Sequence, residues 1–174
     1  MTWIRAALRR ALIGQPQIVQ PLTAIRFGEL RAEVRRIRAT LQEQPYHSSL
    51  FNRWELHDPP CLLELHSTLR PLAERVSGLN VKPSYAFLSL YGADGICPKH
   101  TDRPQCVFTV DLCIEQREVW PLFVDGRPYL LNEGDALCYW GTEQAHWRER
   151  IQPGNHCSLA FFHFVPSAFR GPLK

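Results

Sequence analysis

The stretch that decides the fold is SYAFLSLYGADGICPKHTDRP, residues 84–104, where the chain changes from a helical to a strand-like pattern. Its first eight residues alternate as a β-strand does, and the remainder, with its Gly and Pro residues, is typical of a loop. In that loop one residue separates His100 from Asp102. This pair can form half of a metal site, but in a chain with 7 His and 17 Asp+Glu it also arises by chance. A metal site therefore requires a third ligand and a frame.

After residue 104 the chain consists of short apolar segments separated by turns. QCVFTVDLCIE and EVWPLFVDG predict strands, and the Asp125–Gly126 pair indicates a tight turn. Further strands are predicted in RPYLL, ALCYW, AHWRERI and HCSLAFFHFV, with NEGD, GTEQ and QPGN between them. Roughly seven strands at regular spacing indicate a sandwich or a barrel.

The first 80 residues carry helical patterns instead. Apolar residues recur at helical spacing in one segment, namely Leu30, Val34, Ile37 and Leu41. A second helix is predicted over residues 62–76, with a kink at Pro71 and an end at Gly78. The segment between them, YHSSLFNRWELHDPP, is predicted to be an irregular loop. The three histidines of this half are predicted to be surface or capping groups: His47, His57 and His66.

The composition is that of an ordinary globular protein, with 45% hydrophobic and 21% charged residues in a chain of 174. We predict a single domain over 1–174, with a helical layer over 1–80 and a β-structure over 81–170. A net charge of +3, without a basic cluster interleaved with aromatic residues, argues against a nucleic-acid partner. No apolar run is long enough for a transmembrane helix, so no membrane partner is expected. The sequence does not indicate the oligomeric state.

The cysteines favour a reducing compartment, and we predict a cytoplasmic protein. The six Cys form no C-x-x-C pair, and most lie inside apolar runs, as expected of buried reduced thiols. The first 28 residues lack Asp and Glu and contain four Arg, which superficially resembles a transit peptide. Because Ser is absent there and Thr is scarce, we favour an amphipathic helix that packs on the domain.

His146 is the candidate third ligand. Divalent ions that serve oxygen chemistry, iron above all, are bound by two imidazoles and one carboxylate on one face, with positions left open for substrates. His146 begins a predicted strand after a Gly-containing turn, far from Asp102 in sequence. Of the other downstream histidines, His163 is predicted to share a strand face with Cys157, Leu159 and Phe161, and His156 to lie on the opposite face.

Three features in this order resemble the iron(II)/2-oxoglutarate-dependent dioxygenases, most strongly their small prolyl-hydroxylase-like members. The features are Tyr85 and Tyr91 on one strand, the H-x-D of His100 and Asp102, and GDALCYWGTEQAHWRE at residues 134–149. The resemblance covers residues 84–165 and implies an α+β, mainly β fold. That fold is a double-stranded β-helix, or jelly-roll barrel, buttressed by the N-terminal helices.

The resemblance also implies a function and a set of site residues. His100, Asp102 and His146 would bind Fe(II), with O2 and 2-oxoglutarate as co-substrates in the hydroxylation of a small molecule or a peptide side chain. A Tyr on the strand before H-x-D, here Tyr85 or Tyr91, would contribute to the co-substrate pocket.

The sequence departs from the family pattern on the last strand. An Arg or Lys followed two residues later by Ser is expected there to bind the distal carboxylate of 2-oxoglutarate, but His156 and Ser158 stand in those places. A guanidinium is permanently charged and bidentate, whereas an imidazole is charged only below a pKa near about 6.5.

Three interpretations stay open at this point. His156 and Ser158 bind 2-oxoglutarate weakly, or another cation replaces the arginine, or the enzyme uses iron and O2 without 2-oxoglutarate. The candidate cations are Arg148, Arg103 and Lys99, and Arg148 shares its strand face with His146. An alternative from another class is a catalytically inactive jelly-roll binding protein.

Overall fold

The computed structural model describes residues 14–173, which form ten β-strands and three α-helices. The strands are β1 (Gln17–Val19), β2 (Arg53–His57), β3 (Val81–Tyr91), β4 (Cys97–His100), β5 (Phe108–Gln116), β6 (Leu122–Val124), β7 (Arg127–Tyr129), β8 (Ala136–Tyr139), β9 (His146–Arg148) and β10 (Cys157–Pro166). The helices are α1 (Ala24–Leu41), α2 (Pro60–Thr68) and α3 (Arg70–Ser77).

The strands form two antiparallel sheets. The larger sheet has the order β1-β8-β5-β10-β3-β2 and the smaller the order β4-β9-β6-β7. From β3 to β6, and again from β7 to β10, successive strands alternate between the two sheets, which is the connectivity of a jelly roll. The predicted mainly β double-stranded β-helix is therefore confirmed.

Alternation along the long central strands divides the core into two layers. One face of β10, with Ala160, Phe162 and Phe164, packs in a cluster with helix residues such as Leu30 and Leu62. The opposite face carries Cys157 and Leu159, which pack with Leu122 and Val124 of the smaller sheet. The helices thus cover the outside of the larger sheet, as predicted, and the space between the sheets is left for the interior of the barrel.

The helices agree closely with their sequence patterns. α1 buries Leu30 and Val34. The predicted second helix is divided into α2 and α3 at Leu69, two residues before Pro71, and α3 ends at Gly78, whose φ of 70° is left-handed. None of the described helices combines the length and apolar character needed to cross a membrane.

Three short strands lie where no strand was predicted. β2 occupies the segment predicted to be a loop, β4 lies within the loop before Asp102, and β1 precedes α1. Each pairs with a neighbouring strand: β2 with β3, β4 with β9 and β1 with β8. Their formation depends on tertiary pairing rather than on local pattern. The amphipathic helix predicted over the first residues falls largely on 1–13, which lie outside the described residues.

His66 was wrongly predicted to be a surface or capping group. It is buried in α2, 4% exposed, with its ring against Phe162 and Phe164. Its Nε2 lies 2.9 Å from the carbonyl oxygen of His163, and burial lowers its pKa. The cysteines are free thiols, as expected, and four of them are buried: Cys106, Cys113, Cys138 and Cys157.

Candidate metal centre

His100, Asp102 and His146 converge at one end of the barrel. His100 ends β4 and His146 begins β9, and the two are directly opposite each other in the pairing of these strands. The backbone N–H of Asp102 donates to the carbonyl of Gly141, 2.8 Å away, which holds the loop after β4 against the loop after β8. Asp102 Oδ1 lies 3.5 Å from the Nε2 atoms of both histidines. Sheet register therefore assembles three groups that are up to 46 residues apart in sequence.

The two imidazoles are oriented by backbone carbonyls. His100 Nδ1 lies 2.8 Å from the oxygen of Pro98, and His146 Nδ1 lies 2.9 Å from the oxygen of Gln144. A carbonyl accepts only, so each Nδ1 carries the hydrogen and each Nε2 points toward Asp102. This second hydrogen bond fixes the ring and its tautomer in metal-binding histidines.

The charge distribution suits a cation. Although burial acts to raise it, the neighbouring imidazoles of His100 and His146 hold the pKa of the Asp102 carboxyl well below its usual range. In return, the hydrogen bond to Asp102 is the largest of the effects that raise the pKa of His100 to about 10. A carboxylate held between two imidazoles attracts positive charge, supplied by protons or by a divalent ion.

The donor set fits Fe(II). Nitrogen and oxygen atoms of the three residues all lie within 4.8 Å of one another, close enough for one ion with bonds of about 2 Å after small side-chain movements. Two neutral imidazoles and one carboxylate on a single face are the donors of non-haem Fe(II) oxygenases.

The hydroxyl of Thr109 and the imidazole of His163 lie next to the Oδ2 atom of Asp102. Thr109 Oγ1 on β5 lies 3.5 Å from Asp102 Oδ2 and 3.0 Å from His163 Nδ1. Burial lowers the pKa of His163 to about 4, so this imidazole is neutral. If His163 donates from Nδ1 to Thr109, the threonine hydrogen is directed at Asp102 Oδ2, and Oδ1 stays free for a metal.

We expect Thr109→Val to weaken metal binding about 10- to 100-fold, since it removes the hydroxyl but keeps the shape of the side chain. A Co(II) titration followed by visible absorption measures the affinity. Thr109→Ser restores the hydroxyl and is expected to bind Co(II) nearly as the wild type does. Equal affinities for the Val and Ser variants would contradict this role for the hydroxyl.

A cavity of about 250 Å³ opens beside the three residues. Its buried part is lined by Tyr91, Asp111, Tyr139 and Arg148, each less than 8% exposed. The more exposed lining residues are Arg53, His57, Arg103 and Phe161, and the rings of Tyr85 and Phe87 also line the cavity but are largely buried. The candidate metal ligands thus border a cavity lined by aromatic, basic and buried polar groups.

Arg148 and Asp111 form a buried ion pair in this interior. Arg148 Nη2 lies 3.1 Å from Asp111 Oδ2, and Nη1 donates to the carbonyl of Trp120 at 2.5 Å. Burial raises the pKa of Asp111, although Arg148 acts to lower it. Among the described residues, Asp111 Oδ1 has no hydrogen-bond partner. The pair therefore offers a cation and an unused oxygen to a ligand in the cavity.

Both tyrosines singled out in the sequence line the cavity. The Tyr91 hydroxyl accepts a hydrogen bond from Arg53 Nη1 at 2.7 Å, and the Tyr85 hydroxyl accepts one from Arg103 Nε at 3.2 Å. Sequence reasoning missed Arg53 because β2 was predicted to be a loop. A basic residue alternating with apolar Trp54 and Leu56 was the available signal.

His156, Ser158 and Lys99 do not line the cavity. The Ser158 hydroxyl is on the outer face of the larger sheet, where Arg38 Nη2 donates to it at 3.0 Å. His156 precedes β10 and is partly exposed, and burial and Arg38 lower its pKa. Lys99 Nζ lies 4.7 Å from the centre of the Trp147 ring. The suggestion that His156 and Ser158 bind a carboxylate here needs correction, because the cavity-facing residues of β10 are Phe161 and His163.

The arrangement of strands is that of the 2-oxoglutarate-dependent oxygenases, whose double-stranded β-helix this chain shares. One similar solved structure is the non-haem α-ketoglutarate-dependent epimerase SnoN from nogalamycin biosynthesis. Its TM-score is 0.70 at 16% identity, over 94% of this chain and 82% of that one. A second is HygX from Streptomyces hygroscopicus with nickel and 2-oxoglutarate bound, with a TM-score of 0.68 at 11% identity, over 95% and 87%.

A prolyl-4-hydroxylase from Pseudomonas putida is also similar, with a TM-score of 0.65 at 16% identity, over 90% of this chain and 94% of that one. These TM-scores establish a common fold. No family model matches the sequence, and no curated protein matches it.

Proposed function

We propose that the protein is a non-haem Fe(II) oxygenase that uses 2-oxoglutarate and O2 to hydroxylate a small molecule or a peptide side chain. The observation that carries this proposal is the convergence of His100, Asp102 and His146 beside a cavity whose buried part contains a cation. The common fold with oxygenases that act with 2-oxoglutarate supports it. The cavity volume of about 250 Å³ favours a small substrate or a single side chain.

His100, Asp102 and His146 would hold the metal beside the cavity. Bound Fe(II) supplies the activation of O2 that this chemistry requires. The protein's part is to keep both Nε2 atoms and Asp102 Oδ1 in place, through the carbonyls of Pro98 and Gln144 and the hydroxyl of Thr109.

We propose that Arg148 replaces the arginine missing from the last strand. It lies on β9, two residues after His146, and its guanidinium lines the buried part of the cavity. A carboxylate entering there meets Arg148, the Tyr91 hydroxyl and Asp111.

One observation favours a second candidate, an iron oxygenase that does not use 2-oxoglutarate. Arg148 already has a carboxylate partner in Asp111 at 3.1 Å, which lowers its attraction for a second one. The complete set of metal ligands weighs against the other alternative, an inactive binding protein.

The test compares His146→Gln with His156→Gln, two identical substitutions, one at a candidate metal ligand on β9 and one outside the cavity, just before β10. We expect calorimetry under nitrogen to give one Fe(II) per chain and Fe(II)-dependent binding of 2-oxoglutarate for the wild type and His156→Gln. His146→Gln should lose both. With substrate absent, the wild type and His156→Gln should form succinate slowly under O2. His146→Gln should not form it. Oxygen uptake that does not require 2-oxoglutarate would support the second candidate, and no metal binding would overturn the proposal.

We also propose that residues 1–174 act as one domain in the cytoplasm, without a nucleic-acid partner. The four buried free thiols and the common interior of the two sheets support this. Reaction of the native protein with a thiol reagent before and after unfolding tests the state of the cysteines.

A further inference from the structure

One side of the cavity is an aromatic wall, defined here as the largely buried Tyr85 and Phe87 and the partly exposed Phe161. Phe87 on β3 and Phe161 on β10 are paired residues, and their ring centres are 5.8 Å apart. The imidazole of His57 on β2 extends the wall, 4.8 Å from the Phe87 ring. Neighbouring rings on one side of a cavity form an apolar surface on which a planar group can stack. Neither the metal ligands nor the proposed co-substrate residues use this surface.

Two guanidinium groups lie over the aromatic wall, and their charges are balanced differently. Arg53 lies 5.1 Å from the Phe87 ring centre and is paired with Glu55 at 2.5 Å. Arg103 lies 4.6 Å from the Tyr85 ring centre and donates to the Tyr85 hydroxyl. In the part of the chain that the structure describes, no carboxylate lies within ion-pair distance of Arg103. The more exposed part of the cavity therefore carries one uncompensated positive charge.

We infer that the substrate has a planar apolar body that stacks on the aromatic wall and a carboxylate that pairs with Arg103. This inference deepens the proposed function by naming the substrate class of the same site. Arg103 directly follows Asp102, so a ligand that spans wall and guanidinium lies beside the metal ligands. A cationic ligand of the same shape is rejected, because its charge faces Arg103.

The test uses 3-phenylpropionate and its matched cation, 3-phenylpropylamine, as probes. The protein is loaded with Zn(II), which does not support turnover, and saturated with 2-oxoglutarate, so that the buried part of the cavity is filled. Saturation-transfer NMR on the probe ring protons and calorimetry measure binding. We expect the acid to bind at least about tenfold more tightly than the amine, without displacing 2-oxoglutarate.

Three variants test whether Arg103 causes the preference for the acid. Arg103→Gln should weaken binding of the acid about tenfold or more, and Arg103→Lys, which keeps the charge, should recover part of the loss. Arg150→Gln is the matched control, because Arg150 is an exposed arginine paired with Asp94, and it should bind the acid as the wild type does.

Equal binding of acid and amine would overturn the inference, as would undiminished binding of the acid to Arg103→Gln. Displacement of 2-oxoglutarate by the acid would place the acid in the buried part and overturn it as well. If 2-oxoglutarate itself does not bind, the proposed function fails. The comparison of the wild type with Arg103→Gln still tests the inference, because it measures binding of 3-phenylpropionate and not of 2-oxoglutarate.

Discussion

Replacing Arg148 with methionine is expected to lower the free energy of unfolding by about 3–5 kcal/mol, because it strands a buried carboxylate. Arg148 is 3% exposed and Asp111 is 0% exposed, so water cannot replace the lost partner. The carbonyl of Trp120 loses its donor at the same time. Urea unfolding followed by circular dichroism, with the wild type at the same pH, measures the difference.

The double variant Asp111→Leu with Arg148→Met shows how much of the stability loss comes from the unpaired Asp111 charge and how much from lost packing. We expect it to recover most of the stability, since apolar replacement of both members of a buried pair is often neutral or better. In the single variant a buried Asp111 has a raised pKa, so the unfolded chain ionises more readily above about pH 4. The deficit of Arg148→Met should therefore be smaller at pH 5 than at pH 8. If the double variant loses as much stability as Arg148→Met, and the loss does not change with pH, a stranded Asp111 charge is not the cause.

Gly141→Ala is expected to reduce metal affinity about 100-fold or more and stability by about 1–3 kcal/mol. A Cβ at this position would lie 2.2 Å from Asp102 Oδ2 and 2.5 Å from the carbonyl oxygen of Cys106. Neither distance is possible for non-bonded atoms. The carboxylate or the loop has to move, and either movement takes Oδ1 away from the two imidazoles. Co(II) titration gives the affinity and urea unfolding the stability.

Gly28→Ala is the matched control for this substitution. Gly28 lies in α1, and a Cβ there would meet no atom within 4 Å. Alanine favours a helix over glycine by about 0.5–1 kcal/mol, so this variant should be slightly more stable and bind Co(II) normally. If Gly141→Ala bound Co(II) as tightly as the wild type, contact with residue 141 would not determine the position of Asp102.

The sequence was most informative where a pattern is long and local. β3, β5 and β10 were predicted because eight or more residues of each are apolar or alternating, and α1 because its apolar spacing is regular. The short strands β1, β2 and β4 were missed. Three to five residues carry little pattern, and each of these strands exists because a neighbour supplies its hydrogen bonds.

The sequence by itself determined a barrel with helices on one side and three candidate metal ligands in order along the chain. Only the tertiary structure decided which other groups reach those ligands. His163 was predicted only to share a strand face with Leu159 and Phe161, and the structure places it against Thr109 beside Asp102. Arg53 and Arg148 enter the cavity, while His156 and Ser158 lie outside it. The reason is physical: spacing along a strand gives the face of a residue, but the distance between strands depends on sheet order and register.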